Sequence, residues 1–474
     1  RWAWGGALVR LACLTHVNCG RRRGRESSPK PRRERWLVLD GSTCGGSWPY
    51  GGKIYEGRIY CERLVGRIRQ NPRRKIKYDP REESCSGGRE RAERPGMRNF
   101  TEKPAWQAED LGIPLPESEH ACSMCLPTWD STLGYEECRE EVMRALQSGY
   151  PRFLLNPKVE QLFSRAGEEL AGPGEEVLIF PSLRVAEAAC RYAHEQGGQD
   201  CRSEAYQGLG AVVHPEGCRQ VVRDYWKHTG QVVSSRQADD LMQGRPPGTA
   251  SSAAVASLAG VMESELDEFF LYESGMSAIH ACHEVVTSLR PGRPTLQVEF
   301  PYVDALKIQE QLGNGVEFVA DGTGTAMGHV LERIRSGEFS GVFCEVPSNP
   351  LLRSVDLSAL SEACRKGDTP LVVDDTVATH RNLALFPYAD LITTSLTKWV
   401  SGKGDVMAGA VRVNALAPAF ASLRNSLLAG NPEQCRLYGA DLEVLARNAR
   451  GFGTLVDAAN RNGELVAELS LIHI

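Results

Sequence analysis

The sequence predicts an α/β protein built on a mostly parallel seven-stranded sheet with helices on both faces, with an N-terminal extension ahead of it. Two observations carry this. From about residue 265, short apolar runs rich in β-branched residues alternate with helical stretches, the pattern of parallel strands buried on both faces. Seven such runs occur, at 268–272, 296–300, 316–319, 341–346, 370–373, 391–394 and 408–413. Helix signals stand between them. One helical stretch runs from Gly275 to about Leu289, and Asp356 can cap the N–H groups that open Leu357-Ser358-Ala359-Leu360. Sheets of this kind bind ligands beyond the carboxyl ends of their strands, so the polar residues that close the apolar runs are the ones to inspect.

In chain order, residues 1–96 carry 23 Lys+Arg against 10 Asp+Glu, and the remainder carries 32 against 50, so the formal charge of -5 hides a basic leader and an acidic body. A basic segment suits nucleic acid or a targeting tail. Here Gly and Pro are scattered through it with no helical or strand period, which reads as a disordered or non-native leader with Met97 as the expected start and no nucleic-acid partner. Residues 97–245 form an N-terminal region whose apolar run Val177-Leu178-Ile179-Phe180 and helical stretches show no legible topology. Gly244-Arg245-Pro246-Pro247-Gly248 reads as a linker, placing a boundary near 245.

Composition is that of a globular protein, 42% hydrophobic and 24% charged. No run of about 18 apolar residues and no secretory signal is visible, so no membrane partner is expected and the cytoplasm is the default address. Of the 15 cysteines only Cys122-Ser123-Met124-Cys125 forms a CxxC, and a structural zinc needs a second pair or histidines at suitable spacing; reduced thiols and no metal are expected. The sequon Asn99-Phe100-Thr101 carries little weight without secretion.

Two run ends carry candidate chemistry. Leu371-Val372-Val373-Asp374-Asp375-Thr376 closes on carboxylates, and Ser395-Leu396-Thr397-Lys398 closes the next run, placing Lys398 24 residues after Asp374. Adjacent strand ends would bring the two together. A lysine can hold the aldehyde of pyridoxal phosphate as a Schiff base, and a carboxylate beside the pyridine nitrogen keeps it protonated so that the ring accepts electrons. The pair alone does not decide, because an aspartate ending a strand is commonly a turn residue and a lysine commonly a surface charge. The phosphate adds a requirement. Glu273-Ser274-Gly275-Met276-Ser277-Ala278 lies where a strand turns into a helix, and glycine lets backbone N–H groups at the positive helix end approach a dianion. Ser395 and Thr397 can add hydroxyl donors. An ordinary capped turn fits the same residues.

Taken together, these three segments resemble the Cys/Met-metabolism family of pyridoxal phosphate enzymes, which has a serine-glycine-methionine turn, an Asp-Asn-Thr strand end and a Ser-x-Thr-Lys segment in this order. Val346-Pro347-Ser348-Asn349-Pro350 is similar to the family's Pro-Ser-Asn-Pro segment, and Tyr302 in Phe300-Pro301-Tyr302 sits where the family has a tyrosine stacked on the pyridine ring. Gly149-Tyr150-Pro151-Arg152-Phe153 is similar to its Tyr-x-Arg segment, which reaches the phosphate of a neighbouring subunit. Asp375 departs from the usual asparagine. Leu126-Pro127-Thr128-Trp129, Phe180-Pro181-Ser182, His228-Thr229-Gly230 and Ser401-Gly402-Lys403-Gly404-Asp405 look most like the fungal-type cystathionine gamma-synthases, and the similarity runs from about residue 120 to about 468.

The resemblance implies an aspartate aminotransferase-like (type I) fold, with 246–435 as the cofactor-binding domain and 436–474 as the start of an incomplete C-terminal domain, since the family continues into a small domain whose arginine binds the substrate carboxylate. It implies Lys398 as Schiff-base lysine and proton shuttle, Asp374 at the pyridine nitrogen, and Ser274, Gly275, Met276, Ser395 and Thr397 at the phosphate. Tyr302 would stack on the ring and assist proton transfer, Asn349 would lie near the phenolic oxygen, and Tyr150 and Arg152 would come from a second subunit of a homodimer or homotetramer. The implied reaction is gamma-replacement on an O-succinyl- or O-acetyl-homoserine by cysteine, giving cystathionine. A sulfhydrylase or cystathionine lyase of the same family fits the same residues, as does a catalytically impaired homologue. Ser395-Leu396-Thr397-Lys398 also matches the S-x-x-K of serine acyl-enzymes, but S-D-N and K-T-G do not follow it.

Overall fold

The computed structural model describes residues 106–471 apart from 325–326. The basic leader, Met97 and the Asn99 sequon lie outside the described residues.

All seven expected runs are strands, with ends moved by at most two residues. They are β4 (Phe269–Tyr272), β5 (Thr295–Val298), β6 (Val316–Val319), β7 (Val342–Glu345), β8 (Leu371–Asp374), β9 (Leu391–Ser395) and β10 (Gly409–Val413). Their spatial order is β4-β10-β9-β8-β7-β5-β6. β9, β8, β7, β5 and β6 pair in parallel, and only β10 runs against its neighbours. Successive side chains feed opposite faces. Val342, Cys344, Leu371 and Val373 join one buried cluster with Val330, Ile334, Leu360 and Ala363, whereas Phe343 and Val372 join another with Cys282, Val286 and Leu423. Helices therefore cover both faces, as continuous β-branched runs require. The edge strand β6 is the least buried, with Phe318 exposed.

The N-terminal region forms a separate antiparallel sheet, in order β1-β3-β2, from β1 (Glu175–Phe180), β2 (Arg202–Tyr206) and β3 (Leu209–Pro215). Only the β1 run stands out in the sequence. β2 is a short polar edge strand, and its hairpin turns at Gln207 and Gly208, both at positive φ, the geometry that matches strand twist in a two-residue turn. Residues on both sides of position 435 share one core, in which Leu437, Leu442, Leu445 and Phe452 pack with Leu258, Leu271, Leu396 and Ala408. The described residues fall in one compact unit. Among the described residues, no helix is long and apolar enough to cross a membrane, and no group of His, Cys, Asp or Glu is placed to hold a metal ion.

Candidate active site

The carboxyl ends of β4, β5, β7, β8 and β9 converge on one edge of the sheet, and β10 enters there at Gly409, the register partner of both Tyr272 and Ser395. Close approach of backbone explains the glycines. A Cβ on Gly409 would stand 2.2 Å from the Ser274 carbonyl oxygen, and one on Gly275 would stand 2.7 Å from Ser395 Cβ. Gly230 adopts φ +65°, and a Cβ there would meet Ser274 Oγ at 2.3 Å. These contacts press the Ser274–Ser277 turn against the end of β9.

Ser274 is the N-cap of the Gly275–Leu289 helix: its hydroxyl accepts from the Ser277 N–H at 3.0 Å and donates to the Gly230 carbonyl at 2.8 Å. That commits the Ser274 side chain to the turn and leaves the N–H groups of Gly275 and Met276, which have no intrahelical acceptor, as the anion-facing donors. Beside them, the Ser395 hydroxyl is buried and makes no hydrogen bond among the described residues. An unpaired buried hydroxyl next to a helix N-terminus fits a phosphate oxygen. Thr397 is less available, because its hydroxyl accepts from the Ala408 N–H at 2.9 Å and lies 3.2 Å from the Ala408 carbonyl. Glu273, which precedes the turn, is held by Arg436 at 2.7 Å and by the Ser277 hydroxyl at 2.6 Å, so a carboxylate next to an anion site is offset by a cation.

At the other end of the site, Asp374 closes β8 and accepts the Thr376 N–H at 2.8 Å, while the Thr376 hydroxyl accepts the Ser395 N–H at 2.7 Å. The Asp-Asp-Thr segment thus aims one carboxylate and ties it to the lysine-bearing strand end. Burial pushes Asp374 up to about 6. Asp375 points to the opposite side, fully buried, where it accepts from Arg412 and Thr394. Its departure from asparagine is answered by a buried partner inside β10, which keeps this second carboxylate away from the site.

Lys398 follows β9 with its Nζ 4.4 Å from the Tyr150 ring centroid. Burial, and then the Arg152 charge, pull it down to about 7. Burial raises the Tyr150 phenol. Arg152 is 2% exposed and donates to the Lys227 carbonyl at 2.6 Å, to Asp304 at 2.8 Å and to the Tyr302 hydroxyl at 2.9 Å. Asp304 also meets His228 Nδ1 at 3.0 Å; burial works to raise this carboxyl, but His228 and Arg152 hold it at about 2. The resemblance assigned Tyr150 and Arg152 to a neighbouring subunit. In this chain both lie against its own Lys398 and Tyr302, because Asp304 and His228 fix the guanidinium from within.

The Tyr302 N–H donates to Glu345 at 2.5 Å and the Asn349 N–H donates to the same carboxylate at 3.1 Å. Burial, then the charge of Asp374, push Glu345 upward. Sequence reasoning passed over Glu345, Asp304, Arg412, Arg436 and Gly409, and met Gly230 only as part of the His228-Thr229-Gly230 segment. Two of them carried a visible signal: Glu345, a carboxylate closing an apolar strand as Asp374 does, and Arg412, a charge inside an apolar run. The residues at the phosphate end, Gly275, Met276 and Ser395, and those at the ring end, Asp374, Lys398, Tyr302 and Asn349, line one edge and suit pyridoxal phosphate.

Comparison with known proteins places this geometry. Residues 231–455 match the Cys/Met metabolism PLP-dependent enzymes, and residues 158–234 match the N-terminal domain of fungal trans-sulfuration enzymes. An L-2-amino-4-chloropent-4-enoate dechlorinase/desaturase of Streptantibioticus cattleyicolor is 30% identical over 373 residues, spanning 75% of this chain and 73% of that protein. A cystathionine gamma-synthase of Neurospora crassa is 24% identical over 502 residues, spanning 77% of this chain and 80% of that one. The solved cystathionine gamma synthase of Xanthomonas oryzae in complex with aminoacrylate and cysteine is 24% identical with a TM-score of 0.36, and the match covers 44% of this chain and 52% of that one, so the chain spans about half the length of that solved structure. With its buried lysine, paired strand-end carboxylates and phosphate turn, the chain belongs to the pyridoxal phosphate-dependent enzymes of cysteine and methionine metabolism.

Proposed function

We propose that the chain catalyses gamma-replacement on an O-acyl-homoserine with cysteine, as a cystathionine gamma-synthase of the cytoplasm working as a homodimer or homotetramer. The observation that carries this reading is Lys398, an amine held at about 7 beside Tyr150 and one strand from Asp374. When bound, pyridoxal phosphate supplies the electron sink for proton loss next to the substrate's amino carbon. Lys398, with a large neutral fraction near pH 7, takes the protons at carbons 2 and 3 of the substrate and returns them. The bond from carbon 4 to the acyloxy oxygen breaks with departure of the carboxylate, and the cysteine sulfur, having released its proton to solvent, forms a carbon–sulfur bond in its place. Tyr302, its hydroxyl fixed by Arg152, would cover the ring of the bound cofactor. Asp374 would hold the proton of the pyridine nitrogen, and Gly275, Met276 and Ser395 would hold the phosphate. The names of both relatives are consistent with chemistry at carbon 4: one removes chloride from that position, and the other makes cystathionine.

The test is product analysis by mass spectrometry with O-succinyl- and O-acetyl-homoserine, each with cysteine, with sulfide, or with no acceptor. Cystathionine formed only with cysteine supports the reading. Homocysteine formed in preference from sulfide assigns a sulfhydrylase, and 2-oxobutanoate without acceptor assigns an elimination. No turnover of either ester by a chain whose Lys398 has captured cofactor overturns it.

The placement of Tyr150 and Arg152 makes a prediction about subunits. Chains carrying Lys398→Ala and chains carrying Arg152→Met, each inactive alone, are expected to stay inactive when co-expressed as mixed oligomers, because each chain builds its site from its own residues. If the segment served a neighbour, one site of each mixed dimer would be intact, and about a quarter of wild-type activity would return for statistical pairing in a two-fold dimer. Recovery on that scale would show that Arg152 acts across the interface.

A further inference from the structure

We propose that Glu345 is a positioning residue of the cofactor site, whose buried side chain fastens the Tyr302 and Asn349 segments to the strand end that carries Asp374. The inference rests on the reading of Lys398 as the cofactor lysine.

β7 closes at Glu345 as β8 closes at Asp374, and the two residues are register partners in a parallel pair. Residues so paired project from the same face of the sheet, here at its ligand-binding edge. Glu345 is 7% exposed. Oε1 accepts the Tyr302 N–H at 2.5 Å and Oε2 accepts the Asn349 N–H at 3.1 Å. Tyr302 lies in the loop leaving β5 and Asn349 in the loop leaving β7, and β5 and β7 are neighbours. One carboxylate therefore bridges two adjacent loops. Each loop delivers a side chain expected to meet the cofactor, the stacking ring of Tyr302 and the amide of Asn349.

The arrangement suits positioning better than charge chemistry. Both oxygens are turned to backbone donors, so neither is aimed as a ligand group. A buried carboxylate costs more than an apolar residue of similar volume unless its hydrogen bonds are made, and here they are made to the two loop amides. Misplacement of a cofactor-facing group by about 1 Å can cost on the order of 100-fold in rate, which is the scale a loop anchor protects.

Glu345→Gln keeps one acceptor oxygen and turns an NH₂ group toward the other backbone N–H; Glu345→Ala removes both acceptors. Backbone hydrogen exchange and visible circular dichroism are measured on the full chain loaded with pyridoxal phosphate, and borohydride reduction with peptide mapping is run on the same samples. Exchange at Tyr302 or Asn349 is expected to accelerate about tenfold or more in the Gln variant and at both positions in the Ala variant, with the amides of β7 and β8 unchanged. The visible dichroism of the bound cofactor is expected to fall by about half or more as the ring loses its fixed setting, with the pyridoxyl label still on Lys398. If either variant fails to fold, Glu345→Asp, which keeps the charge and withdraws the carboxylate by one methylene, is read in the same way. Exchange and dichroism equal to wild type in a folded variant overturn the proposal. A label away from Lys398 overturns the cofactor-lysine reading instead, and the exchange at Tyr302 and Asn349 still decides on Glu345.

Discussion

Lys398→Ala is expected to abolish covalent capture of pyridoxal phosphate and to lower turnover by about 10³-fold or more, since one side chain serves as both the attachment point and the proton-transfer base. Borohydride reduction followed by peptide mapping should place the pyridoxyl group on Lys398 in the wild-type chain and nowhere in the variant; a label on Lys403 would refute the assignment. The lowered pKa adds a pH signature. Capture needs the neutral amine, so its rate on the cofactor-free chain should rise through a midpoint near 7, far below the ordinary lysine value of 10.5. The sign for stability follows from the same shift. Between about 7 and 10.5 the unfolded chain holds a proton on this amine that the folded chain has lost, so the stability contributed by this group increases with pH across that window. Denaturation midpoints of the cofactor-free chain at pH 7.5 and 9.5 test this, and Lys398→Met should remove that part of the slope.

The seven strands of the main sheet were legible because each is a short run of β-branched or aromatic residues, apolar and mostly buried in every strand except the edge strand β6. The same holds for the strand-end residues Asp374 and Ser395 and for the lysine that follows, because a polar group closing an apolar run marks the ligand edge of a parallel sheet whatever its neighbours are. Partners were not legible. Arg412 sits inside the apolar β10 and Asp375 follows β8, and nothing in the sequence says that these residues, 37 apart, meet across β9. Two charges embedded in otherwise apolar surroundings were the available clue, since such charges are buried only when paired. Arg152 and Asp304 are further apart in sequence, 152 residues, and no pattern along the chain announces that they pair. The small antiparallel sheet was missed for a local reason: Arg202–Tyr206 is polar enough to read as a loop.

Asp374→Asn is expected to leave the cofactor attached to Lys398 and to slow proton removal from the substrate by about 10³-fold, because a neutral amide no longer holds the pyridine-nitrogen proton and the electron sink weakens. Deuterium wash-out from carbon 2 of an O-acyl-homoserine, measured at matched cofactor occupancy, isolates that step from binding. The pH dependence has a definite sign. Burial pushes Asp374 up to about 6, so in the cofactor-free chain the carboxylate takes a proton as pH falls through that value, and cofactor bound at lower pH meets a neutral partner. Asp375 supplies the contrast. Asp375→Asn strips the charge facing Arg412 in a fully buried pair and should cost about 3–5 kcal/mol of stability, seen as a lowered thermal midpoint, while wash-out below that midpoint stays near wild type. The two substitutions are one residue apart and nearly isosteric, so general disturbance of the strand end would affect both alike. Wild-type wash-out in Asp374→Asn would reduce Asp374 to a turn residue, and slow wash-out with unchanged stability in Asp375→Asn would move the nitrogen-facing role to Asp375.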